Sequence, residues 1–375
     1  MRVLHEVDEI DAAGRSVRVR DLTSGRSRWE SYDQLLIATG AVPICPDLPG
    51  SDAIDICGVN TLESGLEIRR RLDTGDIKRA VVVGGGYIGL EMAEALVRRG
   101  LEVSLIDRSS QVMGTLDEDM GALVSQALRD SGVTLHLEEE LRSFRTADGK
   151  VTGIVTDKRT LPADMVILGL GVRPNTALAK AAGIPLGEKG AIRVNPRMET
   201  GIAGIWAAGD CAESFHLVSR RPFFIALGTV ANRHGRVAGI NLGGGYATFP
   251  GVLGTAVTKI CQVEVARTGL QEKELGELGI EWVSAVIKSR TKAGYFPGAG
   301  EITVKVLAER GSGRLLGGQI VGMEGSAKRI DTLATALHAG FTVEEMINLD
   351  LGYAPPFSPV WDPVVIAARE AAKKL

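Results

Sequence analysis

The sequence predicts an α/β protein with two Rossmann-like parts, one of them split and incomplete, and a C-terminal α+β domain. A glycine-rich loop at Gly84–Gly89 lies directly between a Val-rich strand and a helix, which is typical of a Rossmann unit. Between residues 52 and 171, predicted strands and helices alternate, as in a doubly wound parallel sheet. After Pro250 strand-like segments follow one another instead, which favours an antiparallel sheet.

Composition and charge exclude several classes of protein. Hydrophobic residues make up 45% of the 375 residues and charged residues 24%, which is ordinary for a globular protein. With 43 Lys and Arg against 46 Asp and Glu, the charge gives no reason to expect nucleic acid or an anionic membrane as partner. Residues 1–11 are polar, and no apolar run approaches the ~18 residues of a membrane span. Without CxxC or HExxH we expect no metal, and we predict reduced thiols in a cytoplasmic protein.

The chain opens with short strands rather than a nucleotide-binding unit. The predicted strands are Val3–Ile10, Ser16–Leu22 and Arg26–Ser31. The apolar run Leu35–Ala38, bounded by Thr39-Gly40, is typical of a buried parallel strand that ends at a ligand-facing loop. A linker follows, marked by Pro43, Pro46 and Pro49.

The alternating region supplies one complete doubly wound unit. Its predicted helices are Glu63–Leu72, Ile88–Arg99 and Asp117–Asp130. Its predicted strands are Arg79–Val83, Val103–Ile106, Val133–Leu137 and Met165–Leu168, with a hairpin zone at Leu141–Val155.

The remaining segments belong to two further parts. Strand Gly204–Ala207 and helix Ile225–Asn241 cannot form a sheet alone, so we expect them to return to the first part of the chain. After Pro250 the predicted strands are Thr255–Ile260, Val263–Thr268, Trp282–Ser289, Ile302–Ala308 and Leu315–Val321. Helices are expected at Ser326–Ala339 and Pro363–Ala372.

The glycine motif predicts a dinucleotide site. Gly84 permits a tight turn, Gly86 lets a pyrophosphate approach the backbone, and Gly89 lets the helix pack on the strand. Asp107 ends the next strand, where a carboxylate accepts hydrogen bonds from ribose hydroxyls.

Three charged residues of this region leave alternatives open. Asp107 favours NADH because it repels a 2′-phosphate, whereas Arg108 can pair with that phosphate, so NADPH stays open. Glu91, inside the helix, is either a solvated helix former or a residue that faces the nicotinamide.

A second, weaker nucleotide signal is Gly209-Asp210, which follows the small residues Ala207-Ala208. A carboxylate at this position can bind a ribityl hydroxyl, while small residues admit a cofactor. The dipeptide alone is common, and its value comes from Ile37–Gly40 upstream and Ala226–Thr229 downstream.

Together these residues resemble the pyridine nucleotide-disulfide oxidoreductase superfamily. The motifs are ATG at Ala38–Gly40, GGGYIGLE at Gly84–Glu91, GVRPN at Gly171–Asn175 and AGDCAE at Ala208–Glu213. Ala226–Gly239, Ala293–Ala299 and Gly352–Pro363 look most like coenzyme A-disulfide reductases, with NADH oxidases and CoA-dependent sulfur or persulfide reductases as near relatives. The resemblance covers essentially the whole chain.

The resemblance implies a domain arrangement and two cofactors, FAD and NAD(P)H. Residues 1–48 and 172–248 would form the two segments of an FAD-binding domain, 49–171 an NAD(P)-binding domain and 249–375 a dimerisation domain. The implied assembly is a homodimer. The cofactor-binding residues would be Ala38, Thr39, Gly40, Gly84, Gly86, Tyr87, Ile88, Gly89, Glu91, Asp107, Arg108, Gly171, Gly209, Asp210, Ala226, Leu227, Gly228 and Thr229.

For the reaction itself, the resemblance points to two tyrosines. Tyr295 and Tyr353 match tyrosines that reach the partner subunit's active site in coenzyme A-disulfide reductases. Their hydroxyls could stabilise a thiolate or protonate a leaving thiol, although an interface role is the alternative. Nearby Lys288, Arg290 and Lys292 either attract coenzyme A phosphates or form a solvated strand face.

One departure from the family pattern is large. In these families an FAD-binding GxGxxG and a redox cysteine lie upstream of the segment where this chain begins. None of Cys45, Cys57, Cys211 and Cys261 matches that cysteine, so no catalytic cysteine is nominated. We therefore expect an N-terminally truncated chain with weakened FAD binding, preceded in the genome by an in-frame segment that carries both features.

The sequence thus favours an FAD-dependent NAD(P)H oxidoreductase. Hydride would pass from nicotinamide through flavin to a CoA disulfide, a persulfide or a similar disulfide. The alternatives are an NADH oxidase, which passes electrons to oxygen, and a non-catalytic, dimeric NAD(H)-binding remnant.

Overall fold

A computed structural model describes residues Met1–Leu375. The chain divides into two compact units: Met1–Val42 with Val172–Val252, and Pro43–Gly171 with Leu253–Leu375. We call them unit 1 and unit 2.

The elements follow one another along the chain as 22 strands and nine α-helices. The strands are β1 His5–Asp11, β2 Ser16–Asp21, β3 Ser27–Ser31, β4 Leu35–Ile37, β5 Ala41–Pro43, β6 Ile56–Gly58, β7 Arg79–Val83, β8 Glu102–Asp107, β9 Thr134–Leu137, β10 Leu141–Ala147, β11 Lys150–Thr156, β12 Thr160–Pro162, β13 Met165–Leu168, β14 Val172–Pro174, β15 Ile205–Ala207, β16 Ser214–His216, β17 Arg221–Phe223, β18 Ala256–Ile260, β19 Val263–Gly269, β20 Trp282–Arg290, β21 Glu301–Glu309 and β22 Leu315–Gly322. The α-helices are α1 Leu62–Asp73, α2 Tyr87–Arg98, α3 Glu118–Asp130, α4 Ala177–Ala181, α5 Gly228–Leu242, α6 Glu272–Leu278, α7 Ile330–Ala339, α8 Val343–Ile347 and α9 Pro363–Ala372.

Unit 2 contains a five-stranded parallel sheet, which we call the Rossmann sheet, in the order β6-β13-β7-β8-β9. Its central strands β7 and β13 are almost wholly buried, because helices α2 and α3 and a small antiparallel sheet (β10-β11-β12) cover it. The predicted bounds of Arg79–Val83 and Met165–Leu168 are those observed. The predicted parallel α/β unit is confirmed, but its double winding is wrong, because the buried residues of α1, α2 and α3 lie in one apolar cluster and the small antiparallel sheet covers the other face.

The C-terminal half of unit 2 is a five-stranded antiparallel sheet, the C-terminal sheet, in the order β18-β19-β22-β21-β20. All eight residues of β22 are buried. One apolar cluster contains Leu105 and Ile167 of the Rossmann sheet together with Ile260 and Val265 of the C-terminal sheet. The two halves of unit 2 therefore share a core, and the predicted α+β character of this region is confirmed.

Unit 1 is built from small sheets. β1, β2 and β3 form an antiparallel meander, and β16 pairs with β17 in a hairpin that the sequence analysis missed. β15 pairs in parallel with β4, so the strand at Gly204–Ala207 does return to the first part of the chain. The prediction that Leu35–Ala38 is buried holds only at Ile37. Leu36 is 39% exposed and Ala38 is exposed as well, and β4 pairs with β15 alone.

Two predicted helices begin later than expected. Helix α5 starts at Gly228 rather than Ile225, since Leu227 is extended (φ −133°, ψ 133°) and serves as its N-cap. The predicted helix Ser326–Ala339 begins as a 3₁₀ turn at Ala327–Arg329 before α7. None of the helices combines the length and apolarity required to cross a bilayer.

Candidate functional site

The glycine-rich loop joins β7 to α2, and two of its glycines are required by packing. Gly84 has φ +103°, and a Cβ added there would lie 2.5 Å from the Gly169 carbonyl oxygen. A Cβ on Gly89 would lie 1.9 Å from the Gly84 carbonyl oxygen. Gly86 differs, because a Cβ there would meet nothing within 4 Å. The surface at Gly86 is therefore open at the N-terminus of α2, where the helix dipole and unpaired amides favour a phosphate.

Asp107 organises this loop. Its Oδ2 accepts a hydrogen bond from the Gly85 amide at 2.6 Å, and its Oδ1 accepts one from the Ser109 amide at 2.7 Å. Because each carboxylate oxygen has a second lone pair, these bonds leave acceptors for ribose hydroxyls. Arg108 is exposed beside it. The sequence predicted a nucleotide role for Asp107 and carried no signal for its bonds to the loop.

Helix α2 is tied to the C-terminal sheet by two carboxylates. Glu91 Oε1 accepts a hydrogen bond from Thr258 Oγ1 at 2.6 Å, and Glu94 Oε2 accepts one from the Cys261 amide at 2.7 Å. The sequence left two alternatives for Glu91, a solvated helix former or a residue that faces the nicotinamide. Neither alternative included the bond to Thr258. Each pair is separated by 167 residues in the chain, so local sequence carried no signal for it.

The other predicted nucleotide residues of unit 2 lie at or near the same loop. Tyr87 is the first residue of α2, burial raises its pKa, and its hydroxyl accepts a hydrogen bond from Thr115 Oγ1 at 3.4 Å. Ile88 is half-buried beside it. Gly171 follows β13 in the left-handed region, with φ +87°.

In unit 1 the predicted flavin residues gather at the carboxyl ends of the parallel strands β4 and β15. The Ala208 amide donates to the Ile37 carbonyl at 3.0 Å, which places the segments after the two strands side by side. Thr39 Oγ1 donates to the Asn175 carbonyl at 2.6 Å, and the Asn175 amide donates to the Gly40 carbonyl at 2.9 Å. This edge is where α/β folds bind ligands.

Asp210 is the unsatisfied group at that edge. Its Oδ1 is buried without a hydrogen-bond partner, and burial raises the pKa of the carboxyl. Gly209, with φ +83°, lies against helix α5, since a Cβ on it would be 3.7 Å from the Ala231 Cβ. A buried acceptor without a donor costs free energy until a donor is supplied. The free acceptor has room in its chemistry for a hydroxyl donor from outside the chain, and the ribityl role of Asp210 stays a prediction.

The first turn of α5 completes this edge. Ala226 and Leu227 are half-buried, whereas Gly228 and Thr229 are exposed at the helix N-terminus, and no acidic residue occupies the first turn. Free amides at a helix start favour a negatively polarised ligand atom. The structure thus brings together the three segments of unit 1 that the sequence grouped: Ile37–Gly40, Gly209-Asp210 and Ala226–Thr229.

Tyr295 and Tyr353 lie on two neighbouring loops after β20 and α8. Their side chains are 78% and 48% exposed, and the hydrogen bond between them raises the pKa of Tyr353. The Ala293 amide donates to the Pro355 carbonyl at 3.1 Å, which joins the two loops. The structure therefore pairs the two tyrosines that the sequence analysis nominated.

Arg329, which the sequence analysis missed, fastens both tyrosine loops. Its Nη2 donates to the carbonyls of Thr291 at 2.8 Å and Phe357 at 2.7 Å. Its Nε donates to Asp362 Oδ2 at 3.0 Å, and the two side chains are only 11% and 13% exposed. Such a planar fork can hold several acceptors at once.

The four cysteines are all free and differ in environment. Burial raises the pKa of Cys57 to about 11, so it stays a thiol at neutral pH. Cys211 and Cys261 are buried, while Cys45 is exposed. No group of three or more His, Cys, Asp or Glu side chains is placed to hold a metal ion.

The fold, the glycine-rich loop at Gly84–Gly89 and the strand edge that contains Asp210 together define a class of protein. Residues 1–237 match the family model for the pyridine nucleotide-disulphide oxidoreductases, and residues 255–363 match the model for the dimerisation domain of that family. The chain belongs to this family of oxidoreductases, which use FAD and a pyridine nucleotide.

Individual relatives are similar over nearly the whole chain. The CoA-dependent NAD(P)H sulfur oxidoreductase of Pyrococcus furiosus is 39% identical over 97% of this chain and 81% of its own length. An NADH oxidase of Methanocaldococcus jannaschii is 38% identical over 100% of this chain and 83% of its own. The structure of an NAD-dependent persulfide reductase from A. fulgidus superposes with a TM-score of 0.95, at 39% identity, over 99% of this chain and 69% of that one.

Proposed function

We propose that this chain is an NAD(P)H- and FAD-dependent reductase of a CoA-linked disulfide or persulfide. The observation that carries the proposal is the buried, unpartnered Oδ1 of Asp210 in a chain that also holds a dinucleotide loop at Gly84–Gly89. Two relatives with CoA or persulfide in their names, each 39% identical, support the choice of substrate class.

NAD(P)H would bind at the start of α2. The open surface at Gly86 admits the pyrophosphate, and the ordered carboxylate of Asp107 accepts from the ribose. Tyr87, Ile88, Glu91 and Gly171 would line the rest of the nucleotide site. Arg108 is the residue that decides between NADH and NADPH, because it alone in this group can neutralise a 2′-phosphate.

FAD would be held in unit 1 by the edge that contains Asp210. The Asp210 carboxylate accepts from a ribityl hydroxyl, Ala38–Gly40 and Gly209 leave room for the cofactor, and the amides of Ala226–Thr229 face it. FAD bound at this edge would supply two-electron chemistry between the nicotinamide and the substrate.

Tyr295 and Tyr353 would act on the substrate. A phenol hydroxyl can donate a proton to a leaving thiolate, and the pairing of the two tyrosines keeps Tyr353 protonated, since its pKa is raised. Lys288 and Arg290 are exposed on β20, the strand that leads to the loop of Tyr295. They and Lys292 would attract the phosphates of a coenzyme A moiety.

The proposed assembly is a homodimer in the cytoplasm. Large side chains near the tyrosine pair are exposed, with Phe357 at 74%, Val360 at 69% and Trp361 at 52%. An exposed apolar cluster of this kind is characteristic of an interface, and the match to the dimerisation-domain model supports a second copy as its partner. Four unpaired cysteines favour a reducing compartment.

The experiment is a set of anaerobic assays with the FAD-supplemented protein. We expect NADH or NADPH consumption that depends on CoA disulfide or CoA persulfide and persists under argon. Tyr353→Phe should lower this turnover without changing the dissociation constant of NADH, whereas Tyr246→Phe, an exposed tyrosine of unit 1, should leave both unchanged.

The same assay tests the second candidate, an NADH oxidase, which the Methanocaldococcus jannaschii relative favours. If NADH consumption requires oxygen and does not depend on CoA disulfide, the protein is an NADH oxidase and our proposal is wrong. Binding of NADH without any turnover in the presence of FAD would instead identify a non-catalytic nucleotide-binding protein.

A further inference from the structure

Lys305 is a buried ammonium group in the middle of β21. Its side chain is 3% exposed, and its Nζ lies 2.9 Å from Asp119 Oδ1, 3.1 Å from Asp117 Oδ2 and 3.1 Å from Glu272 Oε1. Burial acts to lower the pKa of Lys305, but the hydrogen bonds that it donates to Asp119 and Glu272 and the charges of the carboxylates outweigh burial and raise the pKa. Lys305 therefore stays charged at neutral pH.

Asp117 makes more bonds to the surroundings of Lys305 than Asp119 or Glu272 does. It immediately precedes α3, and its amide donates to Gln319 Oε1 at 2.8 Å, while Gln319 Nε2 donates back to Asp117 Oδ2 at 2.7 Å. The Glu272 amide donates to Asp117 Oδ1 at 2.9 Å. With Lys305 included, every bond to the buried carboxylate comes from the C-terminal half of unit 2.

A short segment connects Asp117 to the glycine-rich loop. Gln111 Nε2 donates to the Leu116 carbonyl at 2.9 Å, which closes the segment 111–116 on itself next to Asp117. Within it, the Met113 amide donates to the Gly85 carbonyl at 2.7 Å. Because the Gly85 amide donates to Asp107, the Met113 bond to the Gly85 carbonyl gives both backbone polar groups of Gly85 a partner. The position of Asp117 therefore sets the position of the loop.

We propose that Lys305 is a positioning residue for pyridine-nucleotide binding, which acts through Asp117 and the segment 111–116 on the Gly84–Gly86 loop. This inference rests on the proposed nucleotide function of that loop. A loop held in its binding conformation binds more tightly, because ordering it costs nothing at the moment of binding. Loosening it should raise the dissociation constant and the KM for NADH while kcat at saturation changes little.

The test compares Lys305→Met with Lys273→Met in the full chain. Methionine keeps the length of the lysine side chain, and Lys273 is an exposed lysine next to Glu272 on α6, so its replacement is the matched control. We expect the dissociation constant of NADH to rise roughly tenfold in Lys305→Met, equivalent to the loss of one hydrogen bond to a charged group. Hydrogen exchange at the Met113 amide should accelerate in the same variant and stay unchanged in the control.

Several outcomes would overturn the inference. A folded Lys305→Met protein with wild-type NADH affinity and wild-type exchange at Met113 contradicts it. If that variant does not fold, Gln319→Met removes the amide that brackets Asp117 and should give the same rise; unchanged affinity there also contradicts it. If the wild-type chain fails to bind NADH, the proposed function fails instead, and exchange at Met113 still decides whether Lys305 orders the segment.

Discussion

Two glycines of the same loop should respond differently to the same substitution, Gly→Ala: one in stability, the other in nucleotide binding. A Cβ on Gly89 would sit 1.9 Å from the Gly84 carbonyl oxygen, about 1.5 Å short of van der Waals contact, and both atoms belong to backbone. Overpacking of this kind costs about 3 kcal/mol, against about 1 kcal/mol gained from alanine in a helix. Gly89→Ala should therefore lose about 2 kcal/mol of stability, and its Tm should fall by roughly 4–8 °C.

Gly86→Ala should leave the fold intact and damage binding. Its Cβ would enter open space, and the backbone at Gly86 (φ −83°) accepts alanine without strain, so we expect a stability change within about 0.5 kcal/mol. The methyl group would occupy the approach of the pyrophosphate. Loss of one hydrogen bond to a charged oxygen weakens NADH binding roughly tenfold to a hundredfold.

The assay is thermal denaturation together with NADH titration of the wild type and three variants. Gly65→Ala, at an open position inside α1, is the control and should gain about 1 kcal/mol. The reasoning is refuted if Gly86→Ala binds NADH as tightly as the wild type, or if Gly89→Ala has a Tm at or above that of the wild type.

Three further predictions concern charge. Burial raises the pKa of Asp210, so ionisation of this carboxyl destabilises the cofactor-free protein as pH rises. Asp210→Asn should therefore raise the Tm at pH 7, lose this advantage below the ordinary pKa of 3.8, and weaken FAD binding. An unchanged Tm together with unchanged FAD affinity would contradict this prediction. Burial lowers the pKa of His234 to about 4, so as pH falls from 6.5 towards 4 the unfolded chain binds a proton that the folded protein does not, and stability decreases. Chemical denaturation should show a loss on the order of 3 kcal/mol across this range that is absent in His234→Gln. Arg329→Met removes the ion-pair partner of the nearly buried Asp362 and should cost about 3 kcal/mol, with a larger loss of CoA-disulfide turnover than of NADH affinity. Equal losses would argue against a role in placing the tyrosines.

Local sequence was sufficient for the elements whose pattern is self-contained. Strand Arg79–Val83 is an apolar run followed by glycines, and helix Pro363–Ala372 begins with proline after the N-cap Asp362, so both were placed with the observed bounds. The hairpin of β16 and β17 was missed because Ser214–His216 and Arg221–Phe223 lack strict alternation. The start of α5 was placed too early because the apolar Ile225–Leu227 continues the helical pattern, although Leu227 is extended.

The residues of the candidate site also fall into two groups: those that local sequence revealed and those that it did not. Gly84, Gly86 and Gly89 act through their own backbone and their spacing, so the motif revealed them. Lys305 and Arg329 act through partners that lie far away in sequence, such as the pair of Lys305 with Asp119, 186 residues apart. Charged residues inside strands or at helix starts look like solvated positions until the fold places their partners.

Anaerobic reduction of bound flavin by NADH is the measurement that tests the proposed function at both cofactor sites together. In this proposal one chain binds a pyridine nucleotide at the Gly84–Gly89 loop and FAD beside Asp210. We predict that NADH or NADPH bleaches the flavin absorbance of the FAD-loaded protein, and that Gly86→Ala slows the bleaching at subsaturating NADH with the same flavin content. Flavin that stays oxidised in the presence of both nucleotides would contradict the account.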